Sequence, residues 1–376
     1  MRFLLSHFLI MAITHSQAQE LRETIANNIL DDIRFRAVHG LAIGQKDGSD
    51  SEDSFFLQVW IDPATETIVG LLELIGLLNS ADSLGVKIVF AAQCEALNID
   101  SEARKVFTAP RTPLRPGSSI SSNILIGGKG TLGYFCIPRD GNDCFLNGCT
   151  NPSGVHLLSN AHVLSILGVV PDKDTKKVVH PARGDNGTIP VANLCGRSDI
   201  TVGKGKNVRN SSDGAYAVLL KPDLYSSEVP VIFANVSGKV AAANIKKGLD
   251  CQKVGIGSGK TNGRIYTPDM LVKVNYKYIG SHAWFSKQIV IENSQRTGSF
   301  CVGGDSGSLV VDRKNNAIGL LFAGAEKLKD LEGNKASALL ELVARGKADV
   351  VYDYGVATYI ETVENDLKVD LMIFPN

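Results

Sequence analysis

FCVGGDSGSLVVD, residues 300–312, sets three glycines, an acid and two serines between apolar residues. Leu309 to Asp312 has the texture of a strand, so Gly-Asp-Ser-Gly reads as a tight turn entering it. Taken alone, such a turn needs no function. Two other stretches change its weight. LLSNAHVLS, residues 157–165, places His162 just past a strand among small residues, and NSSDGAYAVLL, residues 210–220, opens a strand at Asp213. Each has a plain explanation: a histidine beside a strand is usually structural, and an aspartate at a strand start is usually a turn former. The three come in the order His, Asp, Ser, separated by 51 and 93 residues. Their conjunction points to functional geometry rather than three coincidences.

Outward from these motifs, the chain from about Asn123 is a series of short strand-like runs divided by turn residues. They are NILIGG, TLGYFCI, VHLLSN, GAYAVLL, VPVIFAN, KVAAANI, MLVKVNYKY, KQIVIE, GSLVVD, AIGLLFAG and YGVATYI. Strand–helix–strand alternation is almost lacking, which is the pattern of a sandwich or barrel. Helical spacing is confined to ALLELVARGK and YIETVENDL near the end. The 37 glycines and the scarcity of Met and Trp fit a strand-rich body. Upstream, residues 19–106 read as a small α/β domain ordered helix, strand, strand, helix, strand: LRETIANNILDDIRF, AVHGLAIG, FFLQVWID, TETIVGLLELIGLL and GVKIVFAA. FTAPRTPLRPGSS lacks any period and opens a linker over residues 107–122. Residues 123–376 then form the strand-rich domain.

At 376 residues the chain is long enough for two or three domains with buried cores. Its 39 basic and 39 acidic residues balance, which disfavours a nucleic-acid partner. The seven cysteines (94, 136, 144, 149, 195, 251 and 301) form no CxxC pair, so zinc has little support and no metal or cofactor is expected. Met1-Arg2 followed by FLLSHFLIMAI and then Ser16-Gln17-Ala18 reads as a signal peptide, 1–18, cut before Gln19. The apolar run is too short to span a bilayer, so the expectation is an exported protein without a stable membrane span. Export would permit disulfides, with pairing left open.

SNAHVL, the strand-opening Asp213 and GDSGS, in this order in an all-β setting, resemble the chymotrypsin/trypsin-like serine peptidases over roughly Gly130 to Ile360. The GTLG strand, the LSN-HV stretch and the α/β module ahead resemble a bacterial-type subgroup. The resemblance implies a mainly β chain, a chymotrypsin-like double β-barrel preceded by a small α/β domain. Two perpendicular six-stranded barrels, about 123–245 and about 246–376, would enclose the active site in their cleft. His162 and Asp213 would lie on the first barrel and Ser306 on the second. The implied activity is serine endopeptidase, acting on a peptide or protein substrate. A peptidase-fold binding protein without turnover is the alternative, against which the intact triad argues.

In that reading His162 takes the Ser306 proton during attack, and Asp213 fixes the imidazole tautomer and stabilises the imidazolium. Gly303 and Gly304 let the backbone present the N–H groups of Gly304 and Ser306 to a developing oxyanion. Phe300, six residues before Ser306, occupies the place where trypsin-like members carry the acid selecting Lys or Arg, so basic P1 residues are disfavoured. Phe322, Ala323 and Gly324 match the strand walling the specificity pocket and are likewise apolar, so a small or apolar P1 residue is expected. Val163 stands where many animal members have a cysteine. LIGG, 125–128, invites comparison with the freed N-terminus of zymogens, which would pair with Asp305. Ile124 rather than Arg or Lys precedes it, and GGKGTLG reads as strand and turn. Asp199, in GRSDI, is a lesser candidate for the acid.

One further stretch, VGIGSGKTNGRIY at 254–266, ends a phosphate-loop-like run at Gly259-Lys260-Thr261. Val254 stands where the first glycine of such a loop belongs, and the residues that follow alternate like a strand instead of entering a helix. A glycine-rich hairpin opening the second barrel, with Lys260 solvated, is the expectation.

Overall fold

The computed structural model describes residues 12–97, 113–139, 154–325 and 340–374, less short gaps at 31, 33–34, 47–50, 52–53, 66–67, 81–84, 126–127, 170–175, 222–224, 230–234, 296–297, 341, 345–347 and 352. It falls into two compact units. One comprises residues 1–92 with 328–352, the other 93–327 with 353–376.

The first unit has the expected element order: α1 (His15–Ile29), β1 (Val38–Gln45), β2 (Phe55–Ile61), α2 (Ile68–Ser80) and β3 (Val86–Phe90). Thr14 and Gln17 close a capping box at the start of α1, whose Ala18, Arg22 and Ala26 face inward at helical spacing. The helix therefore runs across the bond expected as the signal-peptide cut. Leu71, Leu74, Ile75 and Leu78 form the buried stripe of α2. β1 pairs antiparallel with β2, and β2 parallel with β3. A strand from far along the chain, β19 (Ala348–Val350), completes the sheet by lying parallel to β3. Lys87 and Asp349 form an ion pair at 2.7 Å, and the Val351 N–H donates to the Phe90 carbonyl at 2.9 Å.

The second unit begins with a three-residue strand, β4 (Cys94–Ala96), and then builds two barrels. The first uses β5 (Ser119–Ser122), β6 (Gly130–Thr131), β7 (Tyr134–Pro138), β8 (His156–Ser159), β9 (Lys177–His180), β10 (Ile189–Arg197) and β12 (Ala215–Leu219). Pairing runs β7–β8–β12–β10–β9–β5–β6, and β6 and β7 are two halves of one bent strand, so the ring closes on itself. Barrel two is a ring of six antiparallel strands: β14 (Asp250–Gly255), β15 (Gly259–Tyr276), β16 (Ser281–Asn293), β20 (Tyr354–Tyr359), β18 (Asn316–Ala325) and β17 (Leu309–Asp312). Closure leaves few bare strand edges. Short β11 (Arg209–Asn210) and β13 (Gly238–Lys239) lie parallel to β16 and β18, and β21 (Val369–Leu371) pairs antiparallel with β7. Among the described residues the unit's helices are a single turn, α3 (Ala161–Leu164), and α4 (Ile360–Leu367). The architecture is mainly β, a chymotrypsin-like double barrel with a small α/β unit drawn largely from the residues ahead of it.

Hydrophobic residues of both barrels meet in one cluster, where Tyr134, Leu158 and Tyr216 pack with Val254, Ile256 and Leu320. A second cluster fills barrel two with Ile265, Ile289, Ile291, Phe300, Val310 and Leu321. Several local expectations differ from the structure. KVAAANI contributes only Lys239 to the two-residue β13 and then forms a 3-10 turn, Ala242–Asn244. NILIGG is a turn where it is described, whereas Ser119–Ser122, upstream of the expected boundary, makes the first barrel strand. Residues 230–234 of VPVIFAN and most of ALLELVARGK lie outside the described residues. VGIGSGK is the β14–β15 hairpin, with Gly255 opposite Gly259.

Candidate active site

β8 ends at Ser159, and the chain turns through α3 so that the His162 side chain is fully buried between the barrels. Asp213 stands two residues ahead of β12, paired with β8 in the sheet. The adjacency of these strands thus brings residues 51 apart into contact. The His162 amide donates to Asp213 Oδ1 at 3.2 Å, and its Nδ1 meets Oδ2 at 2.5 Å. Asn160 Nδ2 donates to the Asp213 carbonyl at 2.7 Å, which fixes the backbone on both sides. With Nδ1–H turned to the carboxylate, Nε2 is left as the base, and it lies 2.8 Å from Ser306 Oγ. Asp199, by contrast, is exposed.

A residue unmarked in the sequence completes this row. Tyr276, at the far end of β15, donates its hydroxyl to Asp213 Oδ2 at 2.9 Å and sets its ring edge-on to His162 at 5.8 Å. Burial, and then the nearby Asp213 charge, hold its phenol well above the ordinary tyrosine range, so it remains a donor. β15 reaches this point through three register shifts between Ile265 and Val272, with Pro268 inside them. Replacing Tyr276 by phenylalanine removes one hydrogen bond to a buried charge, about 1.5–3 kcal/mol. If the chain turns over peptides, kcat is expected to fall roughly 10-fold or more, with KM unmoved, in steady-state kinetics; unchanged kcat would exclude a positioning role.

Ser306 sits in a turn whose backbone demands glycine on both sides. Gly304 and Gly307 have φ of +93° and +94°, a region costly for side chains. A Cβ on Gly307 would also strike Ser159 Oγ and the Thr131 carbonyl. Thr131, in the GTLG stretch, ties barrel one to this turn: its N–H donates to the Ser306 carbonyl at 2.7 Å and its Oγ1 to the Gly304 carbonyl at 2.8 Å. The Ser306 hydroxyl is also 3.0 Å from the Phe322 carbonyl.

The Asp305 side chain is fully buried. It meets Lys253 Nζ at 2.7 Å and Ser258 Oγ at 2.6 Å, and accepts from the N–H groups of Gly257, Ser258 and Val302 at 2.8, 3.1 and 3.0 Å. Lys253 and Ser258 belong to the glycine-rich hairpin. A Cβ on Gly255 would collide with Asp305 Oδ1 and Ser308 Oγ, which is why that turn carries glycine. An internal lysine thus fills the place in which a zymogen-type N-terminal amine would pair. Nothing in the sequence pattern singled out Lys253.

Phe300, Phe322 and Ala323 are fully buried, and Gly324 lies so close to Cys301 Sγ that a Cβ would clash with it. Phe300 packs against Gly263 and Gly355, and Phe322 against the Phe285 ring at 4.8 Å. The wall is apolar, with no buried acid offered to a basic side chain among these residues. The side chain of Leu97 belongs to the same cluster as Phe300 and Cys301. Its amide is 3.1 Å from Ser306 Oγ. Burial raises the thiol pKa of both Cys94 and Cys301 well above the ordinary range, so neither offers a thiolate beside Ser306. Among the described residues no cluster of His, Cys, Asp and Glu fits a metal ion.

Neither the family models nor the curated proteins compared with this chain match it. Among solved structures it is similar to Thermobifida fusca protease A at 13% identity and a TM-score of 0.42, over 69% of this chain and 100% of that one. It is also similar to Nocardiopsis protease at 14% identity and a TM-score of 0.39, over 69% of this chain and 99% of that one. A third is Cellulomonas bogoriensis chymotrypsin, at 12% identity and a TM-score of 0.39, over 69% of this chain and all of that one.

Proposed function

We propose that the chain is a serine endopeptidase of the chymotrypsin-like superfamily, hydrolysing peptide bonds through an acyl-enzyme on Ser306. The observation that carries this reading is the buried row Asp213–His162–Ser306, with contacts of 2.5 and 2.8 Å. Ser306 Oγ attacks the substrate carbonyl carbon while its proton passes to His162 Nε2. Asp213, with Tyr276 behind it, holds the ring and stabilises the imidazolium. The N–H groups of Gly304 and Ser306 receive the oxyanion, each donor being worth roughly 3 kcal/mol in the transition state. The imidazolium then protonates the departing amine, and water, activated by the same ring, releases the acid. Phe300, Phe322, Ala323 and Gly324 select an apolar P1 side chain. Export through residues 1–18 fits the disulfide at Cys195, a bond that oxidising compartments maintain. No helix among the described residues is long and apolar enough to cross a membrane.

A fluorophosphonate probe, which reacts with an activated serine, tests the reading. Wild type is expected to label at Ser306, Ser306→Ala not at all, and His162→Ala at least about 100-fold more slowly. The assay includes Leu97→Asp, whose buried carboxylate is expected to displace the amide lying on Ser306. Folded wild type and Leu97→Asp that both fail to label would leave a binding protein on a peptidase fold.

A further inference from the structure

The segment Gln93–Leu97 belongs to the same compact unit as the barrels, yet its backbone does something that a supporting strand has no need to do. β4 lies antiparallel to the end of β18, with Ala96 opposite Ala323 and Glu95 opposite Gly324. It continues one residue further, where the Leu97 N–H points to the Phe322 carbonyl at 3.4 Å and to Ser306 Oγ at 3.1 Å. The Leu97 carbonyl then accepts from the Gly304 N–H at 2.6 Å. The amide nitrogen at the nucleophile and the carbonyl oxygen on an oxyanion donor bracket one atom, the Leu97 carbonyl carbon. The side chain is 6% exposed and packs in the cluster of Phe300 and Cys301.

Three contacts hold the segment in this register from the other side. β4 runs parallel to β15, with Cys94 opposite Val274 and Glu95 opposite Asn275. Asn275 Nδ2 donates to Gln93 Oε1 at 2.9 Å, and Lys277 pairs with Glu95 at 2.6 Å. Residues 93–97 are thus seated as the acyl side of a peptide, with Leu97 in the P1 place, Ala96 in P2 and Glu95 in P3.

We propose that Cys94–Leu97 is a substrate carried in the enzyme's own chain, and that the peptide bond following Leu97 is its self-processing bond. The proposal rests on the endopeptidase reading above and names its first substrate. Ser306 Oγ bonds to the Leu97 carbonyl carbon, its proton moving to His162 Nε2. The bond to the Asn98 nitrogen breaks, and that nitrogen takes the proton. Water then adds its hydroxyl to the Leu97 carbonyl and returns a proton to Ser306 by way of His162. The products are a chain ending in the Leu97 carboxylate and a chain beginning at Asn98. Until its own bond is cut, the segment keeps other peptides from the β18 edge, and an apolar P1 side chain of leucine size suits the enzyme acting on them.

The test follows the full-length chain by mass spectrometry and N-terminal sequencing. Wild type is expected to yield a new terminus at Asn98 with a first-order rate independent of protein concentration, and Ser306→Ala to stay whole. Leu97→Asp places a carboxylate against Phe300 and is expected to slow that cut at least about 100-fold. It should also label faster with the fluorophosphonate, because the segment no longer holds the cleft. Leu97→Met is expected to keep the cut, which separates pocket fit from misfolding. In trans, a Glu-Ala-Leu anilide should be cleaved by processed enzyme at least about 100-fold better than Glu-Ala-Lys. Ser306 that labels in wild type and Leu97→Asp at equal rates, with no terminus at Asn98, overturns the proposal while sparing the endopeptidase reading. No labelling of any variant overturns both.

Discussion

Ser306→Ala is expected to lower kcat on a peptide substrate about 10⁶-fold, with KM changing little. The size follows from how the groups act as one device. In the proposed mechanism His162 Nε2 takes the proton of Ser306 Oγ, 2.8 Å away, and without the hydroxyl that base has no nucleophile of the chain to serve. Adding His162→Ala to Ser306→Ala is accordingly expected to cost almost nothing more, because either loss disables the same step. Residual turnover, about 10³–10⁴-fold above water, should remain from the oxyanion donors and binding. Initial rates on the two single variants and the double variant check this. Fully additive losses would mean that serine and histidine act in separate steps.

Lys253→Met is expected to destabilise the fold by about 3–5 kcal/mol, the usual result of removing one partner of a buried ion pair. Lys253 and Asp305 are both fully buried, at 2.7 Å. The Asp305 carboxylate keeps Ser258 Oγ and three backbone N–H groups, so its position is retained, but the countercharge is gone. Because Asp305 adjoins Ser306 and also holds the Val302 N–H, the loss also reaches the turn carrying Gly304. Activity should therefore fall together with stability. Urea unfolding is the measurement, and Lys253→Met combined with Asp305→Asn should recover part of the loss by removing the unpaired charge. An unchanged midpoint for Lys253→Met would show that the pair contributes nothing. Lys260→Ala, on the same hairpin with its side chain partly exposed, should change the unfolding free energy by less than about 0.5 kcal/mol.

The contrast between these two lysines shows where sequence reading stops. His162, Asp213 and Ser306 were legible because each sits in a short stretch whose small and glycine residues are dictated by tight backbone turns. The hairpin at 254–266 was legible because its alternation excluded a helix. Lys253 and Tyr276 were not, since their importance arises from barrel closure. Lys253 meets a residue 52 positions away and Tyr276 one 63 away, and neither has a local pattern around it. β10 was not legible because Pro190 breaks the look of a strand, although it lies at a bulge near an exposed end, where proline is tolerated. β4 is too short to show alternation, and its significance lies in what it lies against.

The strand Ala348–Val350 gives the self-processing proposal a physical after-effect. It lies parallel to β3, which precedes Leu97, while β19 itself comes from far beyond that residue. A severed chain would consequently be two polypeptides interlaced in one sheet. The nick would add only one water to the native mass, leave gel filtration unmoved, and be plain under denaturing conditions. Cutting would replace a covalent tether by a dissociation constant, set in part by a three-residue strand, the Lys87–Asp349 pair and one backbone hydrogen bond beyond it. Dilution, salt or a competing strand could then govern how long the two pieces stay together.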